Sequence, residues 1–430
     1  MKRSIVWFKT DLRLNDNETL VRAIENSDEV IPVYCFDQAQ YASTDSGFHK
    51  TGSFRAKFLL ESLNNLDKRL RKLQSGLIIL QGKPEIEIPA LAKQFGVTKV
   101  FAKKEVSHDE KMTEALLEKA LWEQKCLFET FSTSTLYQAV DLPFSLKDIP
   151  EVFTAFRKKV ELECSVRIVF EEPKALNSPH INEMKLPLLS ELGLEESIID
   201  NRSVLEFKGG ETEGLKRLNY YLFESKAISN YKETRNGLIG SDYSTKFSPW
   251  LALGCLSPKT IYHSIKKFEK EHGANESSYW VVFELLWRDY FRFMLKKHSN
   301  KLFQLTGFNQ NITNDLTGDY SLLKKWVNGE TGNEFVDANM RELKQTGFMS
   351  NRGRQNVASY LIDYLKLDWR LGAAYFEQQL IDYDVSSNWG NWAYQAGVGN
   401  DPRGKRIFNI DKQAKEYDPH NEYRKLWLVK

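Results

Sequence analysis

At 430 residues, with 41% hydrophobic and 27% charged side chains and a formal net charge of +2, the chain has a globular composition and is too long for one hydrophobic core. Those values exclude a disordered or fibrous protein, and no stretch approaches the roughly 20 apolar residues of a membrane span, so no membrane partner is expected. No apolar run or cleavage site follows Met1-Lys2-Arg3, which predicts a cytoplasmic protein; Cys35, Cys126, Cys164 and Cys255 are too scattered for a disulfide framework or a zinc site.

In chain order, Ser4–Phe8, Val30–Phe36, Leu77–Leu80 and Lys99–Ala102 read as strands. Residues 53–73 and 112–124 read as helices between them. This alternation predicts an α/β domain over 1–135, Rossmann-like, with a parallel, doubly wound sheet. The first strand, however, runs into Lys9-Thr10-Asp11-Leu12-Arg13-Leu14-Asn15-Asp16-Asn17 and not into a glycine-rich phosphate turn. Residues 136–204 lose periodicity and carry Pro143, Pro150, Pro173, Pro179 and Pro187, the pattern of a connector. From 205 to 430 an all-α domain is predicted, with helical spacing over 215–225, 258–271, 281–297, 356–365 and 371–383. Eight of the ten tryptophans lie in it.

Four stretches of this second domain suggest chemistry. Ser248 before Pro249 reads as a helix N-cap with Gly254 as the stop, and the hydroxyls of Ser244, Thr245 and Ser248 suit a diphosphate there; a plain capped helix fits the same spacing. Glu284, Trp287 and Arg288 share a helix face, which suits a planar heterocycle beside a phosphate, or an intrahelical ion pair with a half-buried indole. Between Arg341 and Gln355, four cations (Arg341, Lys344, Arg352, Arg354) meet one acid, Glu342, so the face can bind phosphate or simply be a solvated helix end. Asp382 and Asp384 precede Trp389 and Trp392; too few oxygen ligands surround them for a hard cation, so no metal is expected, and Arg354 is the predicted partner for one aspartate. No nucleophile elbow, Walker lysine loop or His-Glu-x-x-His is present. Aromatics, amides and ion pairs without an acid/base pair point to a cofactor, and a flavin fits those surroundings.

In this order, behind a Rossmann-like domain, the stretches resemble the photolyase/cryptochrome family over essentially the whole chain. Residues 7–14 (WFKTDLRL), 231–237 (YKETRNG), 335–343 (FVDANMREL) and 346–358 are close to its DASH cryptochromes. The resemblance implies FAD held U-shaped in the helical domain by Tyr231, by Ser244, Thr245, Lys246, Phe247 and Ser248 at its diphosphate, and by Asn351, Arg354, Asp382 and Asp384, with Asn388 facing flavin N5. It implies a 5,10-methenyltetrahydrofolate antenna near Glu105. The DNA-facing positions are Glu284, Trp287, Asn351, Gln355 and Tyr394 around a flipped dimer, with Arg235, Arg288 and Arg352 near its phosphates.

Two of those positions depart from ordinary cyclobutane-dimer photolyases: Gln355 stands for methionine and Tyr394 for tryptophan. A smaller, more polar rim stabilises an extruded dimer less, so a preference for single-stranded DNA, which largely avoids the cost of extrusion, is expected. Trp392 and Trp369 match the first two of three electron-supplying tryptophans. The third position falls at Leu316, which leaves Tyr320 or another surface aromatic for the last step. The implied function is light-driven repair by a monomer, with Glu284, Asn351, Asn388, Trp392 and Trp369 as its working residues: excited reduced FAD gives an electron to a pyrimidine dimer, the ring splits, and the electron returns. The alternative is a blue-light photoreceptor in which Trp392 and Trp369 photoreduce the flavin. Asn388 and the lack of a long tail after Tyr423–Trp427 favour repair.

Overall fold

A computed structural model of the chain describes residues 1–198, 200–308, 319–401 and 407–429. Five strands, β1 (Arg3–Phe8), β2 (Glu29–Phe36), β3 (Ile78–Gln81), β4 (Lys99–Lys103) and β5 (Leu127–Phe131), form one sheet of order β3-β2-β1-β4-β5, parallel throughout. β1 is central because its run is apolar on both faces. Ile5 and Trp7 pack with Ile88, Leu91, Leu117 and Leu121 of helices α3 (Pro84–Phe95) and α4 (His108–Glu123). On the other face Val6 and Phe8 meet Leu20 of α1 (Glu18–Asn26) and Phe58, Leu63 and Leu66 of α2 (Ser53–Lys72). This is the doubly wound domain that the alternation predicts. β5 escapes the sequence reading because it is an edge strand with no fully buried residue, so it lacks a continuous apolar run.

The stretch after β5 carries one longer helix, α5 (Phe153–Glu163), which packs on the helical half with Phe153 against Trp287 and Glu151 O accepting from Tyr290 Oη (2.6 Å), and its later part straps the first domain. Its backbone reaches β2 through Val30 N–H to Asn177 O (2.8 Å), and Phe170 N–H donates to Asp16 Oδ1 (3.1 Å). The remaining chain is helical: α6 (Glu211–Asn219), α7 (Tyr231–Thr234), α8 (Ser248–Ala252), α9 (Pro258–His272), α10 (Glu276–His298), α11 (Tyr320–Asn328), α12 (Glu334–Thr346), α13 (Asn351–Ser359), α14 (Trp369–Gln379), α15 (Val385–Gln395), α16 (Ile410–Tyr417) and α17 (Glu422–Leu428). Helix α10 runs through the middle, opened by a reciprocal Asn275/Ser278 capping box. Single π turns at Tyr220–Glu224 and Tyr360–Tyr364 prolong α6 and α13, which is why 215–225 and 356–365 read as continuous helices. The helix expected to reach 383 stops at Gln379, because Asp384 turns away to cap α15 through Ser387 N–H (2.9 Å). Among the described residues no helix is long and apolar enough to cross a membrane.

The polar exit of β1, which lacks the phosphate-cradling glycines, is the hinge-pin between the two halves. Arg13, 2% exposed, donates to Gly254 O (2.8 Å), Asp16 O and Thr133 O, while Asp16 pairs with Lys259 (2.6 Å). The carboxylate of Glu211 accepts from the backbone N–H groups of Leu14 (2.7 Å) and Asn15 (3.0 Å). Gly254 takes φ +66°, and a Cβ there would lie 2.2 Å from Thr10 O, so its stop is also a point of close backbone approach. Gly254→Ala is expected to cost at least about 2 kcal/mol of stability, from the left-handed backbone and the clash together, read as a lower thermal midpoint by circular dichroism.

Candidate functional site

Helix α10 brings Glu284, Trp287 and Arg288 onto one wall, α13 supplies Asn351, Arg354 and Gln355, and α15 supplies Asn388, Trp392 and Tyr394. Together with Arg235, Asp382 and Asp384 they line one cavity of about 380 Å³, within the size range of small-molecule sites. The predicted partner of the aspartates is in place: Arg354 Nη2 donates to both oxygens of Asp382 (3.0 and 2.8 Å). Burial opposes ionisation of Asp384, but Arg288, Arg292 and the Ser387 N–H outweigh it and hold the carboxyl below its usual range. Among the described residues no three His, Cys, Asp or Glu side chains gather as a metal site.

In and beside this cavity the protein leaves buried polar groups incomplete. Asn388 lines the cavity and is 8% exposed; its Nδ2 donates to Ala373 O (3.0 Å), and its Oδ1 is buried with no partner. An orphaned acceptor costs about 1–3 kcal/mol unless a ligand N–H meets it. At the far end Lys246, 2% exposed, has its ammonium 2.8 Å from the ring centroid of Tyr243 and 3.2 Å from Ser244 Oγ, and no carboxylate lies within ion-pair distance among the described residues. Burial drives its pKa well down. Lys246 and Arg354 both face the Phe348 ring (5.3 and 5.6 Å), so the loop cation and a cavity-lining cation share one aromatic neighbour. These groups fit FAD: a diphosphate near Lys246 would supply a counter-charge, and an isoalloxazine N–H near Asn388 would supply a donor.

The loop differs from its expected form. Ser248 is the first residue of α8 and not its cap, Phe247 occupies the cap position without a side-chain bond, and α8 has only five residues. The carbonyl oxygens of Ser244 and Thr245 are held by Arg217 (3.3 and 3.0 Å), and Phe247 sits in the core. The positive charge at this end therefore comes from Lys246, whose left-handed φ of +58° carries it inward, more than from a helix start. Neither this loop nor the buried Tyr231 lines the 380 Å³ cavity; Tyr231 lies behind it, beside Arg235 and Glu284.

At the rim, Trp287 stacks on Phe153 (3.7 Å between centroids, 14°) and meets Tyr394 edge-on (5.9 Å). Glu284 pairs with Arg235, and burial pushes its pKa up against that pull. Gln355 Oε1 is buried without a partner. Arg288 spends its guanidinium on the carbonyl oxygens of Ser134 and Leu251 (3.3 Å to the latter), tying α10 to the first domain, and Arg352 bonds Asn236 Oδ1 (3.1 Å) and Gln413 Oε1 (3.3 Å) outside the cavity lining. Trp392 lines the cavity. Trp369 is buried behind it and donates to Leu305 O (3.0 Å). Leu316 lies outside the described residues, and Tyr320, 68% exposed, opens α11.

Glu105 occupies a second cavity of about 210 Å³ between the sheet and the helices, lined also by Tyr34, Arg55, Arg292 and Tyr383. Burial raises its pKa, but Lys103 (3.0 Å), Lys9 (3.8 Å) and Arg292 (3.2 Å) outweigh it and hold the carboxyl down at about 2. Arg292, which the sequence reading passed over, also reaches Asp384 (3.4 Å) and so links the two cavities. Its signal was available: an arginine four residues after Arg288, inside the apolar run Tyr290-Phe291-Arg292-Phe293-Met294-Leu295.

Known proteins share this arrangement. The family described as DNA photolyase matches residues 4–178, and the FAD binding domain of DNA photolyase matches residues 280–430. Cryptochrome DASH of Gloeobacter violaceus is 47% identical over 428 residues, 99% of this chain and 85% of that one. The crystal structure of a Synechocystis sp. cryptochrome superposes with a TM-score of 0.96 at 48% identity, covering 100% of this chain and 89% of that one. A class III photolyase from Agrobacterium tumefaciens gives 0.85 at 28%, covering 100% and 86%.

Lys246→Met is expected to weaken FAD binding by about 1.5–3 kcal/mol, roughly ten- to a hundredfold in Kd, while raising the stability of the flavin-free chain, because a buried charge is exchanged for an apolar side chain; flavin titration and melting of the apoprotein check both halves. Glu105, with its folded pKa lowered from 4.5 to about 2, stabilises the fold above about pH 4.5 and loses that contribution as pH falls toward 2. Glu105→Gln is expected to cost about 3 kcal/mol near neutrality, and its gap from the wild type in urea midpoints closes over that acid window.

Proposed function

Because the chain belongs to the photolyase/cryptochrome family, among its DASH-type members, we propose that it is a light-driven flavoenzyme that splits cyclobutane pyrimidine dimers, preferring those in single-stranded DNA. The carrying observation is Asn388 Oδ1, a buried acceptor without a partner on a residue that lines the same cavity as Glu284, Trp287, Gln355 and Tyr394. When bound, reduced and excited by blue light, FAD supplies the electron that opens the cyclobutane ring and takes it back. The protein binds, orients and shields. Asn388 accepts at the ring's N–H edge, Arg354 with Asp382 fixes the floor, and Lys246 neutralises the diphosphate.

Trp287 and Tyr394 form a right-angled aromatic corner against which a flipped dimer stacks. Glu284, paired with Arg235, is placed to hydrogen-bond the pyrimidine edge, and Gln355 Oε1 accepts from a pyrimidine N–H. Asn351, exposed at the start of α13, and Arg235 lie at the mouth, with Arg352 nearby for the flanking phosphates. A polar Gln355 and a single-ring Tyr394 give the extruded dimer less apolar contact, which supports the single-strand preference. The 210 Å³ cavity, with the ionised Glu105 as acceptor for a pterin amino group, is the proposed seat of a methenyltetrahydrofolate antenna.

Reduced, FAD-loaded protein illuminated with dimer-containing oligonucleotides is expected to restore thymines faster in single strands than in duplex, and Gln355→Met is expected to narrow that gap by about 1 kcal/mol of added apolar burial. No restoration in either substrate removes the repair claim. What would then stand is the photoreceptor reading, favoured by the aromatic contacts leading away from the cavity, where the Trp392 ring meets Trp326 at 6.2 Å and Phe376 at 5.1 Å.

A further inference from the structure

Flavin photoreduction through Trp392 and Trp369 needs a last donor near the surface, and the position expected for it holds Leu316, whose side chain cannot be oxidised. The ring contacts offer two continuations. Trp326, which meets Trp392 at 6.2 Å, is fully buried, and its Nε1–H donates to the Val357 carbonyl oxygen (3.0 Å), a group that takes up no proton. Trp369 instead meets the ring of Trp389 edge-on, with centroids 5.9 Å apart at 76°. Trp389 lies one turn before Trp392 on α15, is only half-buried, and donates its Nε1–H to Glu377 Oε2 (3.1 Å), with Tyr383 Oη 3.3 Å from the same nitrogen.

We propose that Trp389 is the terminal tryptophan of the electron supply in this chain and that Glu377 is the base that takes its proton. The proposal rests on the flavin reading above. The electron that leaves Trp392 for photoexcited oxidised FAD is replaced by one from Trp369, and that one by an electron from Trp389. An oxidised indole is a far stronger acid than a neutral one. The Nε1–H bond of Trp389 therefore breaks, the proton moves to Glu377 Oε2, and a neutral indolyl radical is left beside a neutral carboxyl. Their 3.1 Å separation is within proton-transfer reach. Return of the electron must then recover that proton, which lengthens the life of the separated charge. A soluble thiolate reaching the half-exposed ring returns the electron, becoming a thiyl radical, and Glu377 returns the proton to Nε1.

The surroundings of Glu377 suit a proton acceptor. Burial raises the pKa of Glu377 above the usual carboxylate range, against the opposing pull of Arg55, Tyr383, Trp389 and Lys50. Tyr383 also fixes the ring side: its hydroxyl bonds Glu377, and its own ring faces the Arg55 guanidinium at 4.5 Å. Trp326 and Trp369 have no carboxylate on their indole nitrogens, and that difference selects Trp389 as the end of the path.

The test is a blue flash on oxidised, FAD-loaded protein, followed by transient absorption and by spin resonance with ring-deuterated tryptophan. The long-lived radical is expected on Trp389 in the unmutated protein, a readout that does not depend on any variant folding. Trp389→Phe is expected to keep the flavin content and the prompt quenching by Trp392 while shortening the separated charge about tenfold, equivalent to about 1.4 kcal/mol of barrier to return. Glu377→Gln is expected to leave the radical protonated and short-lived, and Tyr320→Phe to change nothing. A lifetime unaltered by Trp389→Phe, or a radical assigned to Trp326 or Tyr320, overturns the proposal. A chain without flavin, or a Trp392→Phe variant that photoreduces as before, defeats the underlying flavin reading and the Trp389 assignment with it.

Discussion

A hollow inside a helical bundle collapses unless something on its walls resists being packed, and here ion pairs do that. Protein interiors close to crystal-like density, so a cavity of about 380 Å³ lined by α10, α13 and α15 would otherwise be filled by side chains. Asp382 with Arg354, and Asp384 with Arg288 and Arg292, place paired charges along one wall, where separation would leave a bare charge in a low-dielectric interior. Asp384 has a second duty as the cap of α15. Asn388 and Trp392 therefore take their places from the same carboxylate that keeps the wall polar.

The same charges join the two halves of the molecule. Arg292 reaches Asp384 on one side and Glu105 on the other, and Glu105 is held ionised by Lys103 and Lys9 at the end of the sheet. Arg13, Asp16, Lys259 and Glu211 repeat the theme a few residues along the exit of β1, using carbonyl oxygens and backbone N–H groups as well as ion pairs. Geometry that must meet several directional partners at once tolerates little sliding. The junction thus fixes the place of the 210 Å³ cavity relative to the 380 Å³ cavity.

Polar incompleteness and aromatic continuity divide the functional half between them. Lys246 has a hydroxyl but no carboxylate partner among the described residues, and Asn388 Oδ1 has no hydrogen-bond partner. The tryptophans are the reverse case: Trp326, Trp369 and Trp389 each spend the indole N–H on a protein oxygen. Which oxygen differs, and the difference between a carbonyl and a carboxylate decides whether a proton can leave with an electron.

The amino-acid order alone determined the alternation that makes the first half a parallel sheet, the helical periods of the second, and a set of side chains that share one cavity: Glu284, Trp287, Asn351, Arg354, Gln355, Asp382, Asp384, Asn388, Trp392 and Tyr394. The alternation and the helical periods are local facts, readable because a period acts over a few residues; the shared site was implied by the resemblance to the family. The tertiary structure decided what depends on distant partners. It made Phe247 the cap position of a five-residue α8 and gave the positive end to Lys246; it turned Arg288 toward Ser134 and Leu251, and it revealed Arg292 as the link between two cavities. It also set Trp389 against Trp369 and Glu377, a neighbourhood built by the packing of α14 on α15 that no spacing within either helix encodes. Contacts between residues far apart in sequence are set by how whole elements pack, and that packing is a property of the folded chain.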